Sequence, residues 1–316
     1  MSFAFQFPGQ GSQAIGMLDE LATQYPIVKD CFDEAGDALG YDLWQLVTQG
    51  PEEELNRTEQ TQPALLAAGI ACWRVWNERG GPLPEFLAGH SLGEYTALVA
   101  ADVLDFADGI RLVQRRAQLM QTAVPEGQGG MAAIIGLSDE VARSMCADIS
   151  ATAGNDAVLQ AVNFNAPGQV VIAGDAMLIE LGMSKAKELG AKLTKQLPIS
   201  VPCHSDRLRD AAAELSASLE ATPMRAPKIP VIHNIDAQPR LEVEEIRRAM
   251  AVQLYSPVLW TDCIQRLASE GTSLLIECGP GRVLSGLSRR INRSLTGASL
   301  HDSASVDHAL ELATTL

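Results

Sequence analysis

No apolar run in this 316-residue chain is long enough to cross a membrane, and no basic stretch near its N-terminus leads into a cleavage site. Both absences predict a cytoplasmic protein with no membrane partner, and residues 3–7 read instead as a first strand. Positive charge is also scarce. Lys and Arg number 24 against 39 Asp and Glu, a net charge of −15. Nucleic acid and anionic membranes both need clustered cations, so neither is expected as a general partner. The six cysteines, at 31, 72, 146, 203, 263 and 278, form no C-x-x-C pair, and no His lies at zinc-ligand spacing from them. Buried reduced thiols are expected rather than disulfides or a metal centre. Cys203, beside His204, is a weak second candidate for a catalytic thiol. Walker A, H-E-x-x-H and EF-hand patterns are missing, as are repeats and low-complexity tracts.

The most informative motif is Gly89-His90-Ser91-Leu92-Gly93. A short apolar stretch precedes it and a helix-forming one follows. A strand turning this sharply into a helix needs small residues on both sides and presents the Ser hydroxyl at its tip. Unpaired N–H groups at the helix start favour an oxyanion beside that hydroxyl. An incidental Ser in a Gly-rich loop is the alternative, and the strand-before, helix-after context argues against it.

Residues 62–79 and 105–124 carry helical apolar periodicity, and 27–39 reads as a helix. From 127 to 197 the pattern changes to β-α-β-β-α-β, the split βαβ or ferredoxin-like unit. Its strands are expected at 131–135, 158–164, 169–173 and 191–197, with helices at 138–149 and 177–189. The α/β alternation then resumes, with strands at 229–232 and 274–276 and helices at 243–254 and 283–291. The expected organisation is a catalytic body of residues 1–126 and 198–316 with a small subdomain of 127–197 inserted. The polar tail after Ser299 has no readable role.

A serine nucleophile needs a base. His90 adjoins Ser91, so its ring should point elsewhere, and His301 and His308 lie in the polar tail. His204 follows Val201-Pro202, read as a strand end, and precedes a helix, where catalytic loops of α/β folds gather. His233 ends a strand and competes. Gly9-Gln10-Gly11-Ser12-Gln13-Ala14 formally fits the dinucleotide fingerprint, but the second strand that fingerprint needs is replaced by the helix at 27–39. The glycines then imply a backbone that approaches the site closely and offers an N–H.

These residues together resemble the malonyl-CoA:acyl carrier protein transacylases of bacterial fatty-acid synthesis. The resemblance is carried by Phe7-Pro8-Gly9-Gln10-Gly11-Ser12-Gln13, Gly89-His90-Ser91-Leu92-Gly93-Glu94-Tyr95 and Val201-Pro202-x-His204. Thr61-Gln62-Pro63-Ala64-Leu65, the Arg116 region through Val124-Pro125-Glu126-Gly127, Asn163-Phe164-Asn165 and Glu277-x-Gly279-Pro280-Gly281 extend it in order along nearly the whole chain. It implies an α/β-hydrolase-like core with an inserted ferredoxin-like (βαββαβ) small subdomain. It further implies Ser91 as nucleophile, His204 as base, the backbone N–H groups of Gln10 and Leu92 as oxyanion hole, and Arg116 as the malonate-binding residue. A backbone carbonyl, matching Gln253, would orient the His. Malonyl-CoA and acyl carrier protein are the implied partners, with no metal or redox cofactor. On sequence alone a surface Arg beside Arg115 is the favoured reading of Arg116, and the resemblance reverses it. Departures from the family pattern are Cys203 where Ser is usual, Ser205 where Cys is usual, and Arg207 where an apolar residue is common.

Related readings are an acyltransferase subunit of a malonate decarboxylase or of a polyketide synthase. A thioesterase-type serine hydrolase could use the same elbow and His, and a non-catalytic docking protein would not need Ser91, His204 and Arg116 together. An acidic carrier protein and a chain of charge −15 repel, so docking calls for a local basic surface. Arg289 and Arg290, with Arg293 and Arg282, form the densest basic cluster on an expected helix. Lys185, Lys187, Lys192 and Lys195 are the rival patch.

Overall fold

A computed structural model of the chain describes residues 2–125 and 127–316; Glu126, at the expected subdomain boundary, lies outside them. The first part runs β1 (Ser2–Phe7), α1 (Asp19–Gln24), α2 (Ile27–Leu39), α3 (Leu43–Gln49), α4 (Glu52–Leu55), α5 (Thr58–Glu78), β2 (Phe86–Gly89), α6 (Leu92–Ala100) and α7 (Phe106–Ala123). There follow β3 (Gly129–Ile135), α8 (Asp139–Ala153), β4 (Leu159–Ala166), β5 (Gln169–Asp175), α9 (Ala176–Glu188) and β6 (Leu193–Gln196). A 3-10 turn (Asp206–Leu208) leads into α10 (Arg209–Ala221), β7 (Val231–Ile232), α11 (Val243–Gln253), α12 (Trp260–Ser269) and β8 (Thr272–Glu277). The remainder is α13 (Val283–Ile291), β9 (Thr296–Ser299) and α14 (Ser303–Thr314).

Two sheets result. The first is wholly parallel, in the order β7-β2-β1-β8-β9. Parallel strands are covered on both faces, so they read as continuous apolar runs. In β1, Phe3, Phe5 and Phe7 turn one way, and Phe5 meets Trp73 and Trp76 of α5 edge-on at 5.3 and 5.2 Å between ring centres. Ala4, Ala88, Ile232 and Leu275 turn the other way, into a core with Trp260, Ile264 and Leu267 of α12.

The second sheet is antiparallel, in the order β4-β5-β3-β6. Ala132, Ile134 and Ile172 face Met145 of α8 and Ile179 of α9. Met131, Val162, Val171 and Ala173 face the main core instead. Val258 stitches β4 to the body, donating to Val162 O at 2.8 Å and accepting from Phe164 N at 2.9 Å. Ser138 caps α8 as expected, accepting from Val141 N.

Two sequence readings are corrected. Val201-Pro202 is not a strand end, because β6 stops at Gln196 and irregular chain carries it to His204. The tail after Ser299 is a structural helix: α14 starts with a reciprocal Asp302–Ser305 capping box and buries Val306, Ala309 and Ala313. Its apolar face, Val306, Ala309, Leu310 and Ala313, is short and was not read as a helix from the sequence.

Candidate active site

The strand–helix junction is tight. A Cβ on Gly89 would sit 1.9 Å from Gly93 C, and one on Gly93 would sit 2.1 Å from Phe7 O. Only glycine lets α6 begin directly behind β2 and against β1. Ser91 takes the turn itself, with φ 52° and ψ −107°, a conformation an L residue holds only when its surroundings force it. Asn234 supplies much of that force. Its Oδ1 accepts from Ser91 N at 2.7 Å and its Nδ2 donates to Gly89 O at 2.7 Å. The loop that follows β1 packs against this turn, where a Cβ on Gly9 would meet His90 O at 2.6 Å. The backbone amides of Gln10 and Leu92 donate no hydrogen bond among the described residues.

Ser91 Oγ lies 2.7 Å from His204 Nε2, and His204 Nδ1 lies 2.8 Å from Gln253 O. A carbonyl can only accept, so Nδ1 carries the proton and Nε2 is left to receive one from Ser91. The other histidines are elsewhere. His90 turns away to Asn165 Oδ1 at 2.7 Å, and His233 pairs through Nδ1 with Glu94 Oε1 at 2.6 Å. His301 and His308 stay in the tail region.

Arg116 is not a surface residue: it is 1% exposed, and Arg115 takes the surface position with Glu214. The Arg116 guanidinium donates to Gln62 Oε1 at 2.8 Å, to Ser91 Oγ at 3.2 Å and to Gln253 Oε1 at 3.2 Å. All three acceptors are neutral, and among the described residues Arg116 makes no ion pair. A buried cation without a counter-ion is costly, and a ligand carboxylate would relieve it. The Gln253 side chain joins the parts: its Nε2 donates to Ser91 O at 2.9 Å and to Glu94 Oε2 at 3.0 Å. Gln62, Glu94 and Asn234 were not singled out as site residues from sequence. Each acts on a partner distant in the chain, and only Gln62 and Glu94 lay inside recognisable motifs.

Burial, reinforced by the Arg116 charge, pushes the His204 imidazole down to about 3. Burial also pushes the Cys203 thiol up to about 11, and its Sγ donates to Val201 O, so it is a poor nucleophile. All six cysteines are buried and free. Arg289 and Arg290 lie exposed on α13, with no hydrogen bond to these groups, and Arg290 contacts Gln169 at the start of β5. Among the described residues no group of three or more His, Cys, Asp or Glu could hold a metal ion, and no helix is long and apolar enough to cross a membrane.

The acyl transferase domain model matches residues 4–304. The chain belongs to the acyl transferase family. The malonyl CoA-acyl carrier protein transacylase of Salmonella typhimurium is 50% identical over 308 residues, 98% of each chain. That of Haemophilus influenzae is 53% identical over 304 residues, 96% of each chain. Among solved structures, an acyl carrier protein S-malonyltransferase from Vibrio cholerae is 51% identical, with a TM-score of 0.94 over 98% of this chain and all of that one. A malonyl-transacylase solved with a type II polyketide acyl carrier protein is 50% identical, with a TM-score of 0.96 over 99% of this acyl transferase and all of that chain.

Proposed function

We propose that this acyl transferase moves a malonyl group from malonyl-CoA to the phosphopantetheine thiol of acyl carrier protein, by a ping-pong route through malonyl-Ser91. The observation that carries the reading is the buried, unpaired Arg116 guanidinium 3.2 Å from the Ser91 hydroxyl. A two-point guanidinium grip suits the free carboxylate that malonyl keeps and acetyl lacks.

As Ser91 Oγ attacks the thioester carbonyl, His204 Nε2 takes its proton. The oxyanion forms against the amides of Gln10 and Leu92, each worth roughly 3 kcal/mol in sites of this kind. The C–S bond breaks, and the CoA thiolate leaves with the proton from His204. The carrier thiol then gives His204 its proton and attacks the ester, and Ser91 Oγ leaves as the hydroxyl. Gln253 O orients the ring but stabilises imidazolium less than a carboxylate would. The substrate itself helps. Its carboxylate neutralises Arg116, removes one of the causes that depress His204, and so makes the base stronger only when a malonyl group is bound.

In this reading the parallel sheet and its helices are an α/β-hydrolase-like catalytic body of residues 1–126 and 198–316. The antiparallel sheet is a ferredoxin-like insert of residues 127–197, supported by its strand order β4-β5-β3-β6. The carrier protein docks at Arg289 and Arg290, which share a recess with Arg293 and Gly286. A polyketide carrier protein is the second reading, favoured by the relative solved with one. Intact-mass spectrometry tests the scheme. Malonyl-CoA should add one malonyl mass, which carrier protein then removes, and Ser91→Ala should take up none; an adduct of normal yield on that variant overturns it.

A further inference from the structure

The chemistry above makes no use of Arg207. Its guanidinium grips Asp175 with two parallel bonds, Nε to Oδ1 at 2.7 Å and Nη2 to Oδ2 at 2.8 Å, and also donates to Asp156 O at 2.7 Å. Asp175 ends β5 and is itself fixed by Val158 N at 2.9 Å. One residue earlier, Asp206 and Gln160 of β4 form a second two-point contact. Gln160 Nε2 donates to Asp206 Oδ2 at 2.7 Å, and Asp206 N donates to Gln160 Oε1 at 2.7 Å. Consecutive residues just after His204 are thus bound to adjacent strands of the antiparallel sheet.

His204 needs such holding. Its φ is 62°, a left-handed conformation that is unfavourable for a non-glycine residue. Irregular chain precedes it, and its own amide reaches Leu254 O only at 3.2 Å. We infer that Gln160–Asp206 and Asp175–Arg207 form a clamp by which the antiparallel sheet holds His204 in hydrogen-bonding register with Ser91. Asp175, Arg207, Gln160 and Asp206 are then positioning residues. The inference rests on the reading of His204 as the base for Ser91. An isolated, partly exposed ion pair would add little to stability and would not fix the backbone. Two two-point contacts on neighbouring residues do what one flexible pair does not: they fix the backbone in both position and orientation.

The test is the labelling rate of Ser91 by a fluorophosphonate, which needs an activated hydroxyl but neither malonyl-CoA nor carrier protein. Arg207→Leu, Asp175→Asn and Gln160→Leu should each slow labelling about tenfold, within the ~10²-fold that a 1 Å misplacement can cause. Arg207→Leu combined with Asp175→Asn should be no slower than the worse single variant, and Arg207→Lys should recover part of the rate. The exchange-protected Nδ1–H proton resonance of His204 should weaken in parallel with the rate. Variants that melt earlier but label at the unaltered rate and keep that resonance would overturn the clamp. An unaltered protein whose Ser91 does not label would overturn the reading of the site instead.

Discussion

Replacing Arg116 by Ala removes a buried cation but leaves Ser91, His204 and the backbone amides proposed to hold the oxyanion in place. Malonyl transfer should fall by about 10²-fold or more, the loss expected from deleting one partner of a buried, charge-assisted pair. Acetyl transfer, which has no carboxylate to lose, should hold or rise. Single-turnover acylation with both thioesters measures this, and an equal fall for both would make Arg116 structural. The imidazole of His204 makes a second prediction. In the free protein it stays neutral far into acid, so kcat/KM for acylation should hold from pH 8 down to about 5, where a histidine near 6.5 would already have been protonated. Arg116→Gln should move that acid limb upward. Folding follows the opposite sense. The unfolded chain binds this proton near pH 6.5 and the folded chain only near 3, so stability should decline as pH falls through that interval. Residues that act on their sequence neighbours, such as Ser91 and Leu92, were legible in the sequence. The choice of His204 over His233 was open, because it depends on which loops converge: Ser91 and Asn234 are 143 residues apart and still share a 2.7 Å bond.

Of the helices, α5, α7, α8, α9 and α11 were readable to within a few positions, and α2 and α13 to the residue, whereas α12 and α14 were not read as helices. The strand expected at 229–232 shrinks to the two-residue β7, and the four-residue β9 is too short to show alternation and was not read; each pairs along the edge of a longer neighbour, β2 and β8. The strand–helix junction is the element most sensitive to a single atom. Gly93→Ala puts a methyl group 2.1 Å from Phe7 O, which must push β1 and α6 apart. A loss of roughly 1–3 kcal/mol is expected from overpacking of this kind. Urea unfolding should show it, together with slower Ser91 labelling, because Gln10 hangs from the displaced end of β1. Unchanged values for both would mean that the junction has slack.

At the scale of the whole molecule the issue is charge. A net charge of −15 opposes any acidic partner, and exposed arginines on α13 are the local exception. Arg289→Glu with Arg290→Glu should slow transfer to carrier protein, most at low salt where the Debye length is long. Malonylation of Ser91 by malonyl-CoA should be nearly unaffected. Unchanged carrier turnover at low salt would shift attention to Lys185, Lys187, Lys192 and Lys195. Of these, Lys185 is already paired with Glu188 at 2.8 Å.

The place of β1 in the middle of its sheet has a consequence for synthesis on the ribosome. Its two neighbours are β2, which ends at Gly89, and β8, which ends at Glu277. A growing chain completes the first pairing early and waits for the second, roughly 10–40 s at ~5–20 residues per second. Throughout that wait a strand bearing Phe3, Phe5 and Phe7 presents a bare hydrogen-bonding edge, the kind of template on which nascent chains aggregate. His204 and Gln253 emerge in the same interval, well after Ser91. A chain cut short between Ser91 and His204 therefore carries the serine without the proposed base, and on that reading cannot consume malonyl-CoA.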